Sequence, residues 1–190
     1  DRAGGGGRGG GGTGRAGGRT AVAWSGDESL RTWGLATGEQ QQVLTGHTSC
    51  VLGATVLADG QTALSWSNDE SLRTWNLATG EQQQVLTGHT DWVHGATVLA
   101  DGQTALSWSR DTSLRTWNLA TGEQQQVLTG HNENGHQTWV NGAGVPAAGQ
   151  TALCWPKRGS LRTWNAATRD HPQASTGDAG WVQRQHATAN

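Results

Sequence analysis

His47, Ser65 or Ser67, and Asp69 are the residue types of a nucleophilic triad, in which an imidazole takes a hydroxyl proton and a carboxylate holds the imidazole's tautomer. The same set returns 42 residues later as His89, Ser107 or Ser109, and Asp111. A catalytic site is built once. A set that recurs with the period of the chain, closed each time by a tryptophan (Trp75, Trp117), is expected to serve the fold of the repeated unit. The chemistry to expect is a buried polar network satisfied from within, with no enzymatic activity. The sequence holds no phosphate loop, no isolated nucleophile and no metal set beyond an unconvincing His131 and His136, so no cofactor or metal is expected.

The repeat itself sets the architecture. Residues 88–129 copy residues 46–87 with five changes in 42 positions, and Trp33, Trp75 and Trp117 stand at that spacing. A fourth copy carries Trp164 after a step of 47, which places an insertion of five around Asn132 to His136 and makes His136 the fourth copy's equivalent histidine. Within a unit, short apolar or alternating stretches (51–57, 62–67, 72–75, 83–87) are cut by turn signals: Ala58-Asp59-Gly60, Asn68-Asp69-Glu70 and Ala78-Thr79-Gly80. No helical period competes, and four short antiparallel strands per unit fit one propeller blade. The fold class expected is all-β, with about four four-stranded blades.

Gly46-His47 and Gly88-His89, each followed by an aspartate six residues before a strand-ending tryptophan (Asp69 and Trp75, Asp111 and Trp117), resemble the signature of the WD-repeat β-propeller family. The likeness covers about residues 21–182. The eponymous Trp-Asp reads Trp-Asn at Trp75-Asn76, Trp117-Asn118 and Trp164-Asn165, and Trp-Gly at Trp33-Gly34. The resemblance implies a structural tetrad in which the turn aspartate orients the loop histidine, the histidine bonds a strand serine, and the serine meets the indole N–H. In the fourth copy Cys154 and Pro156 replace both serines and Arg158 replaces the aspartate, so the tetrad is lost there. Trp66, Trp108 and Trp155 stand where the family usually has a small residue, which leaves the packing between blades open.

On this reading residues 1–20 form a Gly/Arg-rich disordered segment, 21–45 a partial blade lacking its first strand, 46–87 and 88–129 full blades, 130–176 a drifted blade and 177–190 a first-strand stub. Four blades are expected to form an open arc. The arc is a piece of a larger propeller, a ring completed by another copy through self-association, or a ring closed by the stub, which would set Asp178 opposite Asp27. The first 20 residues hold four Arg and one Asp, a net charge of +3, so the remainder of this −2 chain carries −5. Nucleic-acid binding is therefore expected of the Gly/Arg segment alone, if at all. With 11 Trp and no Phe, Tyr or Met, the core must come from Trp, Leu, Val and Ala. Cys50 and Cys154 show no metal or redox spacing, no apolar run reaches membrane-spanning length, and no secretory signal is visible, so a cytoplasmic protein with reduced thiols is expected.

Repeated residues belong to the fold, and function is sought where the copies differ. The five differences are Ser49/Asp91, Cys50/Trp92, Leu52/His94, Asn68/Arg110 and Glu70/Thr112. The fourth copy has Trp139, Asn141, Lys157 and Gly159 at the equivalent positions, and the first has Gly26 and Glu28. In the family these two loops share one face where partners commonly bind. The resemblance thus implies a non-catalytic scaffold whose partners are proteins or peptides, with Trp92, Trp139 and Arg110 as anchors. The alternative is a ligand-binding propeller that stacks glycans on tryptophans or holds RNA with help from the Gly/Arg segment. Against both stands the reading in which these positions simply drift at the surface while Trp92 and Trp139 cover the core between blades.

Overall fold

A computed structural model describes residues 11–14, 20–129, 132–133, 136–137, 139–144, 151–156, 161–165 and 173–175. Among them the chain is all-β. Four four-stranded antiparallel sheets follow one another in sequence, each a simple meander. The first comprises β1 (Gly12–Gly14), β2 (Thr20–Trp24), β3 (Ser29–Gly34) and β4 (Gln40–Thr45); the second β5 (Val51–Val56), β6 (Thr62–Ser67), β7 (Leu72–Asn76) and β8 (Gln82–Leu86). The third comprises β9 (Val93–Val98), β10 (Thr104–Ser109), β11 (Leu114–Asn118) and β12 (Gln124–Leu128). A small hairpin, β13 (Asn132–Glu133) with β14 (His136–Gln137), occupies the insertion. The fourth sheet is β15 (Val140–Gly144), β16 (Thr151–Pro156), β17 (Leu161–Asn165) and β18 (Gln173–Ser175). First strands lie beside one another, β1 with β5, β5 with β9 and β9 with β15, as in propeller blades around an axis.

The turns explain the strand ends. Asp59 accepts hydrogen bonds from the N–H of Gln61 and Thr62 at 2.8 and 2.9 Å, and Gly60 takes a φ of 68° that closes the hairpin. At the other end of the unit the Asn76 side-chain oxygen accepts the N–H of Ala78 and Thr79. An Asx turn needs only that oxygen, so asparagine after Trp75 serves as well as aspartate.

The core lies between sheets. One buried cluster joins Val22, Leu30 and Leu44 of the first sheet to Val51, Ala54, Ala63, Trp75 and Leu77 of the second. A second joins Leu64, Leu72 and Leu86 to Val93, Ala105, Trp117 and Leu119. The third joins Leu106, Leu114 and Leu128 to Val140, Ala143 and Cys154. Each fully buried Leu or Val contributes about 1.5–3 kcal/mol, so neighbouring sheets depend on one another for stability.

Two features differ from the sequence reading or resolve it. The first sheet has the first strand it was expected to lack: Gly12–Gly14, within the stretch expected to be disordered, pairs with Ala21–Ala23. Glycines supply the backbone N–H and C=O a ladder needs, and without side chains they leave room for the Trp24 indole beside Gly11. The same arrangement settles the place of the unusual tryptophans. Gly53, Gly95 and Gly142 stand directly opposite Trp66, Trp108 and Trp155, and a Cβ on any of them would lie 2.2–2.3 Å from the indole. The large residue on the second strand is thus matched by an absent one on the first. Residues 1–10, 15–19 and 176–190, with Asp178 and the stub, and the fourth copy's His131, Lys157, Arg158 and Gly159 lie outside the described residues. No helix of the described residues is long and apolar enough to cross a membrane.

Candidate functional site

The repeated polar set forms a closed network in both full copies. The buried His47 ring meets Asp69 through Nδ1 at 2.7 Å and Ser65 Oγ through Nε2 at 2.8 Å, and the Trp75 N–H donates to the same Oγ at 2.8 Å. His89, Asp111, Ser107 and Trp117 repeat this at 2.7, 2.7 and 2.8 Å. With a neutral imidazole, one proton order satisfies every group: indole N–H to hydroxyl oxygen, hydroxyl proton to Nε2, and Nδ1–H to carboxylate. Of the two serines left open by sequence, Ser65 and Ser107 are the members. Ser67 and Ser109 instead bond the preceding loop, accepting from the N–H of Asp69 and Asp111 and donating to the carbonyls of Ser49 and Asp91. Gly46 belongs to the same construction, because a Cβ there would press on the Trp75 ring, Arg73 and Gln82 at 2.9–3.1 Å.

Electrostatics agree with that order. Burial pushes the Asp69 and Asp111 carboxyls up, but hydrogen bonds from His47 and Ser71, and from His89 and Ser113, outweigh it and hold both well below the usual carboxylate range. Burial also lowers the His89 pKa, against the pull of Asp111, so the folded imidazole is neutral at pH 7. The unfolded chain takes up the proton first as pH falls below about 6.5, so stability present above that pH is lost on acidification. Asp69 and Asp111 add a second loss below about pH 4. The urea midpoint is therefore expected to fall between about pH 7.5 and 5.5 and again below about 4. A midpoint that rises over the first interval would overturn the neutral assignment.

Where the copies differ, two loops meet on one face. The Asn68 N–H donates to the Cys50 carbonyl at 3.0 Å and the Arg110 N–H to the Trp92 carbonyl at 2.9 Å. Leu52, His94 and Asn141 share a single cause for their placement: each is the extra residue of a bulge at the start of its first strand, opposite the Val51–Gly53, Val93–Gly95 and Val140–Gly142 shifts. A bulge re-aims a side chain out of the ladder. Leu52 and Asn141 are exposed and His94 is half-buried.

Arg110 is the centre of this face. Its guanidinium lies 5.0 Å from the Trp92 ring of its own sheet and 4.2 Å from the Trp139 ring of the next, with Nε 3.7 Å from Asp91 Oδ2. The stack crosses the boundary between the third and fourth sheets. At the boundary between the first and second sheets, Cys50 occupies the position equivalent to Trp139 and donates from Sγ to the Gly26 carbonyl at 3.4 Å. Two polar atoms of this face, Asn68 Oδ1 and His94 Nε2, are buried without a hydrogen-bond partner among the described residues. Burial and the nearby Arg110 lower the His94 pKa, partly offset by Asp91.

Sequence comparison of the copies missed the strain at this face. Glu28, Glu70 and Thr112 have φ of 70°, 68° and 71°. For a β-branched residue that conformation costs on the order of 1 kcal/mol or more. The fourth copy carries Gly159 at this position, the one visible hint. Thr112→Gly is expected to raise stability by about 0.5–1 kcal/mol in urea denaturation despite glycine's added chain entropy. Unchanged or lower stability would mean that Thr112 contacts outweigh the strain.

Away from this face, a groove between the second and third sheets is lined by Leu57, Gln83, Gln84, Gln103 and Leu119, and no tryptophan lines it. Among the described residues no cluster of His, Cys, Asp and Glu could hold a metal ion. In comparisons with protein-family models and with curated proteins, no family model and no curated protein matches this chain.

Proposed function

We propose that the chain is a non-catalytic WD-repeat scaffold that binds proteins or peptides through the loop face centred on Arg110. The observation that carries this reading is the guanidinium stacked between Trp92 and Trp139 at 5.0 and 4.2 Å, at positions where otherwise near-identical copies diverge. Arg and Trp are the residue types that dominate binding energetics, and a stacked guanidinium is held still before a partner arrives. Its fork of N–H donors suits a carboxylate or a backbone carbonyl of a peptide, while the exposed Trp92 edge suits an apolar side chain. The WD-repeat reading is supported by the closed His, Ser, Asp and Trp network in both full copies. Absence of catalysis is supported by the serines: Ser65 and Ser107 are wholly buried and spend their protons inside the network. Two cysteines that form no disulfide, one half-buried and one buried, fit a reducing compartment such as the cytoplasm.

The test is selection of peptides from a displayed random library on the folded chain. Selected peptides are expected to lose at least about 10-fold in affinity on Trp92→Ala and on Arg110→Ala, and nothing on Thr79→Ala at the opposite face. Binders indifferent to both Trp92 and Arg110 would overturn the proposal.

A further inference from the structure

At the first two internal boundaries a sheet shows its predecessor the same four residues. In the second sheet they are Ala63, Ser65, Trp75 and Leu77, and in the third Ala105, Ser107, Trp117 and Leu119; none of the eight exceeds 8 % exposure. The first sheet's counterparts are Ala21, Ala23, Trp33 and Leu35. Both alanines are only partly buried, Trp33 is 37 % exposed and Leu35 58 %. With Ala23 where the two full copies have serine, this face is also more apolar than theirs, and no hydroxyl there needs a partner.

The opposite kind of face is open at the other end. A sheet shows its successor a branched aliphatic residue from its second strand, Val22 and Leu64 at 0 % and Leu106 at 1 % exposure, whereas the fourth sheet's counterpart, Leu153, is only partly buried. The first and fourth of the described sheets therefore carry two outward faces, each of the kind that mates with the other in the three internal clusters. Those clusters join the first sheet to the second, the second to the third and the third to the fourth; among the described residues none joins the first to the fourth.

We infer that two copies of the chain associate head to tail, the Trp33 and Leu35 face of one seating on the Leu153 face of the other at both ends. The contact continues an interface the chain already makes three times. Two arcs of four sheets close at eight, within the range that propellers adopt, and a heterologous contact that closes gives a ring in place of a fibre.

Native mass spectrometry of the full chain is expected to give twice the 19.9 kDa chain mass. Leu35→Glu and Trp33→Glu should each give monomers, as should Leu153→Glu, while Val43→Glu should remain dimeric. Val43 is exposed in the same way as its counterparts Val85 and Val127, so it lies outside the boundaries between sheets. Mixing Leu35→Glu with Leu153→Glu in equal amounts should restore the dimer, because one of the two contacts then joins two unaltered faces. Near-UV circular dichroism of the tryptophans checks that each variant is folded, and Leu35, already exposed, is the position least needed for folding. A monomeric parent chain, growth beyond two copies, or a dimer that survives Leu153→Glu would each overturn the inference.

Discussion

Asp111→Ala is expected to cost about 3–5 kcal/mol and to lower the melting temperature by roughly 10 °C. Its carboxylate accepts four hydrogen bonds: from His89 Nδ1 at 2.7 Å, the Thr90 N–H at 3.1 Å, the Ser113 N–H at 2.9 Å and the Ser113 hydroxyl at 2.7 Å. Removing it strands several donors together, and each stranded buried donor costs about 1–3 kcal/mol. Asp27 is the internal control. Its copy has no histidine, and the carboxylate turns to Arg31 at 2.8 Å in an exposed pair, whose hydrogen bond, with that of Ser29, lowers the carboxyl pKa to about 2. Asp27→Ala should therefore cost only about 1 kcal/mol. Urea denaturation of both variants measures the contrast. Equal losses would mean that the turn geometry, common to both copies, does the stabilising and the imidazole network adds nothing.

Gly95→Ala should destabilise by about 3 kcal/mol, at or beyond the upper end of overpacking costs. The new Cβ would meet Trp108 Cζ2 at 2.2 Å and Cε2 at 2.4 Å, and that indole is itself packed against the cluster between the third and fourth sheets. Neither side of the contact can give way cheaply. The glycine's φ is not in the left-handed region, so the penalty is steric and should be relieved by shrinking the partner. In a double-mutant cycle Gly95→Ala with Trp108→Ala is expected to cost at least about 1 kcal/mol less than the two changes summed. Additive losses would show that the backbone of the first strand, and not the indole, requires glycine.

Much of this molecule can be read from one dimension because its rules are local. The 42-residue period, the alternating strands and the Asp-Gly turns all depend on neighbours a few residues apart, and they recover the sheets with their strand order, except the first strand of the first sheet, whose glycines carry no apolar alternation. The tetrad was legible as a set of residue types, since a recurring His, Ser, Asp and Trp cannot be a single active site. Choosing Ser65 over Ser67 was not, because both alternate onto the same side of β6 and only the depth of the histidine ring separates them. The divergent loop positions were likewise visible, yet nothing in their spacing says that Arg110 lies between two indoles belonging to different sheets. Trp92 and Trp139 are 47 residues apart, and the twist and curvature between consecutive sheets bring them to either side of one guanidinium.

Period, strand pattern and turn chemistry are thus properties of the chain as written, since hydrogen bonding and sterics over a few residues suffice to impose them. The partner of each tryptophan is a property of the packed sheets. Trp33, Trp75 and Trp117 share one motif, but the last two are sealed and the first is open, because burial depends on which sheet stands alongside and no local pattern carries that information.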